Sequence, residues 1–120
     1  MEGTVLMKPP IFIDNNGDLA VFDSVRDAES WIEPIDVRSN EYVAFDSEGR
    51  LLRLTVRKQE GFLTSGNEYV QLAAAESEPA HAADLRERLQ SFLNVAGVKD
   101  VNPTATLKQL VETARLFVKK

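Results

Sequence analysis

Ile11-Phe12-Ile13-Asp14-Asn15-Asn16-Gly17-Asp18-Leu19-Ala20-Val21-Phe22 decides the fold class. Two apolar, β-prone runs flank Asn16-Gly17, a pair suited to a type I′ turn because both central residues of that turn need positive φ. With those residues as the turn, Ile11 faces Phe22 and Ile13 faces Ala20 on one side, and Phe12 pairs with Val21 on the other. Both faces are apolar, so this hairpin belongs in the middle of a structure or under a helix.

Asp23-Ser24 then opens a helix expected from Val25 to about Glu33, with Ser24 capping toward Asp27. Val25, Ala28 and Ile32 form its stripe, Trp31 lies beside them as a core candidate, and Pro34 ends it. Ile35-Asp36-Val37 is expected to be extended. A second hairpin joins Glu41–Phe45 to Leu51–Arg57 through Asp46-Ser47-Glu48-Gly49-Arg50, with Phe45 placed opposite Leu52 and Val43 opposite Leu54. Leu52, Leu54 and Val56 alternate with Arg53, Thr55 and Arg57, the period of a half-buried strand. A fifth strand is expected over Glu68–Leu72 after the turn Thr64–Asn67, with Phe62 and Leu63 as an extension.

From Ala73 the composition shifts toward a linker, residues 73–79, leading into helices. Leu85, Leu89, Phe92, Leu93 and Ala96 share one helical face, Asp84 and Arg88 pair four apart, and Gly97 suits a left-handed cap. Leu107, Leu110, Val111, Ala114, Phe117 and Val118 mark a last helix that starts at Asn102-Pro103 or at Thr106. The expectation is one α+β domain over residues 1–120, with residues 1–9 a candidate for disorder. Its sheet is mostly antiparallel, of about five strands in the order ββαβββαα, with the helices on one face.

Composition narrows the function classes. A chain of 120 residues with 43% hydrophobic and 28% charged residues suits a single packed core. There is no cysteine, which removes disulfides, thiolate metal sites and cysteine nucleophiles together. The first ten residues lack a basic start followed by a long apolar run, and no stretch approaches the ~20 apolar residues of a membrane span. A soluble cytoplasmic protein is expected. Residues 1–50 carry eleven acids and four bases, whereas residues 51–120 carry eight acids and ten bases. The acidic half repels nucleic acid; it reads first as a solvated surface that keeps the chain soluble and, as the alternative, as an interface for a basic partner.

Motifs for chemistry are scarce. Asp14–Asp18 has the acid content of a calcium loop, but an EF-hand counted from Asp14 needs glycine sixth and glutamate twelfth; here Gly17 is fourth and Val25 twelfth. His81 is the only histidine and lacks the companions of a zinc site. Carboxylate pairs such as Asp23 with Asp36, or Asp46 with Glu48, are easily assembled among nineteen acids and lie where turns and caps use acids anyway. Neither a phosphate loop nor a serine elbow is present. No catalytic residue, metal ligand or cofactor is therefore assigned.

The segments Ile11-Phe12-Ile13-Asp14, Phe22-Asp23-Ser24 with Ala28-Glu29, Ile32–Val37, Glu41–Asp46 and Gly49–Leu52 resemble small acidic bacterial proteins of the immunity type, which bind and neutralise polymorphic toxins. The resemblance covers about a third of the chain and carries no catalytic motif. It implies a binding protein with an acidic face, in agreement with the charge asymmetry; a basic protein partner is expected, while the acidity and the hydropathy pattern argue against nucleic acid and membrane as partners. Asp23, Glu33, Asp36, Tyr42 and Asp46 are the candidate partner-binding residues, Tyr42 as apolar anchor and the acids for steering. The alternative is a small-ligand or enzymatic domain with a cleft between sheet and helices, and a homodimer through an open sheet face suits either.

Overall fold

A computed structural model describes residues 6–39, 41–58, 67–99 and 101–119. Strands β1 (Ile11–Asn15) and β2 (Asp18–Phe22) form the first hairpin, in the register expected: Ile11 opposite Phe22, Phe12 opposite Val21 and Ile13 opposite Ala20. Asn16 (φ 53°) and Gly17 (φ 95°) both take the positive φ of a type I′ turn, and Asp14 Oδ1 accepts from the Gly17 amide at 2.7 Å. Helices α1 (Val25–Trp31) and α2 (Pro34–Arg38) follow, then β3 (Tyr42–Phe45), β4 (Leu51–Lys58) and β5 (Glu68–Ala74). Helices α3 (Ala82–Val95) and α4 (Leu107–Ala114) and a 3₁₀ turn over Arg115–Phe117 complete the chain. The five strands make one antiparallel sheet in the order β2-β1-β3-β4-β5. The α+β class and the antiparallel sheet are those read from the sequence, and the element order matches apart from the added helix α2.

The helices, however, cover both faces of the sheet rather than one. Phe12, Leu19, Val21 and Phe45 pack with Leu85, Leu89 and Leu93 of α3 and Leu110, Val111 and Ala114 of α4. Ile11, Ile13, Ala20, Phe22 and Ala44 pack on the opposite face with Ala28 and Ile32. Alternation along β1 is the cause: Ile11 and Ile13 point one way, Phe12 the other, and each apolar face needs its own cover. Phe12 and Phe45 are fully buried, each contributing about 2–3 kcal/mol of transfer free energy.

Helix α1 packs against β1 and against both edge strands, β2 and β5. A flat sheet would hold those edges roughly 19 Å apart, four strand spacings, so the sheet curls toward α1. Glu29 on α1 accepts from the Leu72 amide at 2.8 Å, satisfying one outward donor of the β5 edge. At the other edge, Val118 forms a parallel bridge to Val21, and the Lys119 amide donates to the Val21 carbonyl at 2.8 Å.

Four local expectations change. Ile35-Asp36-Val37 lies in α2 rather than an extended segment. Pro34 forces Glu33 into an extended conformation (φ −89°, ψ 130°) and then supplies the preset φ of a first helical residue. The proline that closes one helix thus opens the next. In the second hairpin Phe45 faces Leu51, and Ala44 faces Leu52. The Asp46 amide donates to the Arg50 carbonyl at 3.0 Å, leaving a three-residue loop with Gly49 at φ 93°. That one-residue change of register sends Phe45 and Leu52 to opposite faces. Ala73 and Ala74 belong to β5, not to a linker. Finally, Lys8 is held by backbone bonds to Asp46 and Ser47 (3.2 and 2.8 Å), and Pro10 is buried, so order begins before residue 10. Phe62, Leu63 and the turn residues 64–66 lie outside the described residues.

The helix signals translate directly. Ser24 accepts from the Asp27 amide at 3.0 Å, and Asp84 pairs with Arg88 at 2.9 Å. Gly97 (φ 83°) closes α3 with Val98 donating to Leu93 and Gly97 donating to Asn94, both at 3.1 Å. Thr106 and Gln109 form a reciprocal capping box, which selects the later of the two starts for α4.

Candidate functional site

Four of the five residues singled out from the sequence lie along the α1–α2 segment and its exit into β3. Asp23 precedes the cap of α1 and is exposed. Glu33, between the helices, is exposed and makes no side-chain cap bond. Asp36 and Tyr42 are half-buried and bonded to each other, the Tyr42 hydroxyl donating to Asp36 Oδ2 at 3.0 Å. Burial, reinforced by that bond to a carboxylate, pushes the Tyr42 phenol up to about 12.

Trp31 organises this face. Its ring lies 5.3 Å from the ring of Phe22 and 6.1 Å from that of Tyr42, yet 39% of the residue is exposed. Expected in the core, Trp31 forms instead the lid of an aromatic row that reaches solvent. Ala28 and Ile32 take the inward direction of α1, and Trp31, off that stripe, covers Phe22 from outside. Ile35, on the first turn of α2, is 67% exposed. Two large apolar side chains therefore stand among six acids, Asp23, Asp27, Glu29, Glu33, Asp36 and Glu41, with Arg26 and Arg38 as the only bases of residues 23–41. Arg38 is engaged with Glu68 of β5. Trp31 and Ile35 were missed as contact candidates because periodicity marks which side of a helix is apolar but not how far the sheet beneath it extends.

Asp46 is elsewhere and does a different job. It is fully buried, accepting from the amides of Lys8 (3.2 Å), Glu48 (3.0 Å) and Arg50 (3.0 Å) and from the Arg50 guanidinium (3.1 Å). No surface remains for a partner to touch, so Asp46 leaves the candidate interface and becomes the keystone of a loop. The Arg50 guanidinium also donates to Glu48 at 2.6 Å and to the Ser77 carbonyl at 2.9 Å. That bond from Arg50 holds the Glu48 carboxyl below its usual range. Glu76 accepts from the Leu51 and Ala80 amides and from His81 Nδ1 at 2.8 Å; the His81 contact is the main cause lowering its carboxyl. His81 is thus the half-exposed residue that precedes α3 at its N-cap, part of a structural junction.

Asp14, also buried, accepts from Arg88 of α3 at 2.5 Å, while the same guanidinium sits 5.3 Å from the Phe45 ring centre. Among the described residues, no buried side-chain polar atom lacks a hydrogen-bond partner and no group of three or more His, Asp and Glu converges as for a metal ion. The space between sheet and helices, the place for a ligand or enzymatic cleft, is filled by the two apolar clusters. An open groove of about 610 Å³ lies instead between the end of α3, residues 98–99 and 101–105, and α4, with Leu93, Val101 and Leu110 in its lining. The uncovered sheet surface is the outer side of β4–β5, where Arg53, Arg57, Tyr69 and Gln71 are exposed and Arg57 donates to Gln71 at 2.7 Å. No helix among the described residues is long and apolar enough to cross a membrane.

Comparison of the chain with protein-family models, with curated proteins and with solved structures yields no match in any of the three.

Proposed function

We propose that the chain is a non-catalytic protein-binding module of the immunity type, an inhibitor that neutralises a basic bacterial toxin by direct contact through its α1–α2 face. The observation that carries this reading is the exposed Trp31, set in tilted contact between Phe22 and Tyr42 and among acids. An aromatic anchor held rigid by its neighbours loses little entropy on binding, and surrounding charge accelerates encounter with an opposite charge. Exposed Ile35 extends the apolar centre, and Asp23, Glu33 and Asp36 supply the charge. The resemblance to acidic immunity-type proteins agrees with this surface and adds the identity of the partner class.

The test is a tagged pull-down from the native cell at low and high salt, run beside the variant Asp23→Lys/Glu33→Lys/Ile35→Asp. A basic protein retained by the original chain, weakened by salt and lost with the variant supports the reading. Retention that the variant does not alter places the interface elsewhere. In that case the groove between α3 and α4 becomes the surface to probe.

A further inference from the structure

The end of the chain returns to this face. Val118 bridges to Val21 and packs with the α3–α4 cluster, and the Lys119 amide donates to the Val21 carbonyl at 2.8 Å. Alternation along this extended segment sends the next side chain, Lys119, to the opposite side of the sheet, where α1 lies. There its ammonium sits over the Trp31 ring, 5.9 Å from the centroid. Phe22, Asp27, Ser30, Trp31 and Lys119 together line an open depression of about 430 Å³. An indole face, a carboxylate and a hydroxyl around one depression are what a desolvating cation needs: a quadrupole to sit on, a counter-charge and a hydrogen-bond acceptor.

We infer that the Phe22–Trp31–Asp27 depression is a binding subsite for a lysine or arginine side chain of the partner, and that the chain's own Lys119 occupies it until the partner arrives. The inference rests on the α1–α2 face being the contact surface, and it deepens that reading by naming the residue class recognised there. Lys119 is the occupant visible in the structure, an internal copy of the chemistry the depression accepts. A partner cation displaces it and then gains the Trp31 face and the Asp27 carboxylate. The exposed Lys119 side chain can swing away while its amide keeps the bond to Val21. Competition with a tethered lysine lowers the apparent affinity for any cationic ligand by the fraction of time the subsite is filled.

The experiment titrates the full chain with a hexa-arginine peptide, using a hexa-glutamate peptide as control. Trp31 is the only tryptophan, so its fluorescence reports the subsite itself, and calorimetry provides a second readout that survives its replacement. Hexa-arginine is expected to change Trp31 emission, and hexa-glutamate to leave it unaltered. Lys119→Ala, an exposed change that retains the backbone bond, is expected to tighten hexa-arginine binding about three- to tenfold, the scale of one cation–π contact. Asp27→Asn and Trp31→Phe are expected to weaken it by a similar factor in calorimetry, because Phe presents a poorer π-face than Trp. If Lys119→Ala leaves the affinity unchanged or weaker, the subsite is not occupied by its own lysine and the inference falls. If binding is lost with Asp23→Lys/Glu33→Lys but is indifferent to Lys119, Asp27 and Trp31, the acidic face stands and the subsite does not. If hexa-arginine does not bind the original chain or Lys119→Ala, both fall.

Discussion

The loop around Asp46 and the α1–α2 face are both acidic, and they treat their charges in opposite ways. At the loop, Asp46, Glu48 and Glu76 are consumed by backbone amides, Arg50, Lys8 and His81, and together they fasten the start of β4 to the segment entering α3. On the α1–α2 face, Asp23 and Glu33 point to solvent without an ion-pair partner among the described residues, and the aromatic row beneath them is left partly open. A buried carboxylate surrounded by four donors cannot be removed without orphaning those donors. An exposed carboxylate on a helical segment is nearly free to change. The same residue type therefore fixes the fold in one place and remains available for binding in the other, and substitutions should separate the two.

The largest effect is expected at Gly49. A Cβ built there would lie 2.3 Å from Ala82 Cα and 2.7 Å from Ala82 N, and the residue's φ is 93°. The obstruction is backbone already bound to the loop through the His81 amide, which donates to the Gly49 carbonyl at 3.0 Å, so it cannot turn aside. Gly49→Ala should cost about 4 kcal/mol, combining left-handed strain with overpacking. Gly17→Ala shares the positive φ but meets nothing within 4 Å, and should cost only ~1 kcal/mol. Chemical denaturation of the two variants measures the difference. Equal costs would mean that α3 does not dock on the loop as described.

Asp46→Ala comes next. It orphans the amides of Lys8, Glu48 and Arg50 and leaves the largely buried Arg50 guanidinium with Glu48 alone as its carboxylate partner. The expected loss is about 3 kcal/mol, a fall in Tm on the order of 10 °C. A loss below ~1 kcal/mol would return Asp46 to the list of surface acids and dissolve the contrast drawn above.

What was legible in the sequence follows the range of the interactions involved. The Asn16-Gly17 turn, the Ser24 cap, the Gly97 cap and the Asp84–Arg88 pair are all local, and the structure contains each of them. The second face of helices and the burial of Asp46 depend on contacts between distant elements, and the register of Phe45 turns on the three-residue loop closed by the Asp46–Arg50 backbone bond. Asp46 shows the limit plainly. In Phe45-Asp46-Ser47-Glu48-Gly49 it reads as one more turn acid, and only the approach of Lys8 from the amino-terminal side and of Ala82 over Gly49 closes it off. Trp31 shows the converse. Its helix and its neighbours were legible, but the position of that helix over the sheet depends on the order of all five strands. Of the five candidate residues four fall on one face, as their closeness in sequence allows, whereas the aromatic centre of that face was not legible.

Between the two regions in expected effect stands the Tyr42–Asp36 bond, which couples the binding face to stability through pH. In the folded chain Tyr42 holds its proton up to about 12, against an ordinary value of 10.0. Between those values the unfolded chain has released a proton that the folded chain still binds, so stability falls as pH rises through this window. The contribution is fully present below pH 10. Tyr42→Phe removes the titrating group, and its stability should decline less steeply from pH 10 to 12 than that of the original chain. It should also be slightly less stable at neutral pH, by about 1 kcal/mol for the lost hydrogen bond. Parallel alkaline limbs for the two proteins, measured by denaturation across this range, would mean that Tyr42 is neither buried nor bonded to Asp36 as described.

The smallest stability change should come from Asp23→Lys/Glu33→Lys, and its smallness is the sharpest use of the contrast. Neither carboxylate accepts a hydrogen bond from a described residue that the fold would miss. Reversing Asp23 places a positive charge near the amino end of α1, where the helix dipole disfavours it by a few tenths of a kcal/mol, roughly the scale of a surface substitution. The double variant should therefore unfold within about 1 kcal/mol of the original while losing tenfold or more in association with a basic partner, mostly through a slower encounter that salt makes equal for both proteins. A variant that loses stability instead would mean that these acids, like Asp46, support the fold. A variant that keeps both its stability and its salt-sensitive binding would move the interface away from α1 and α2, leaving Trp31 exposed without a steering field around it.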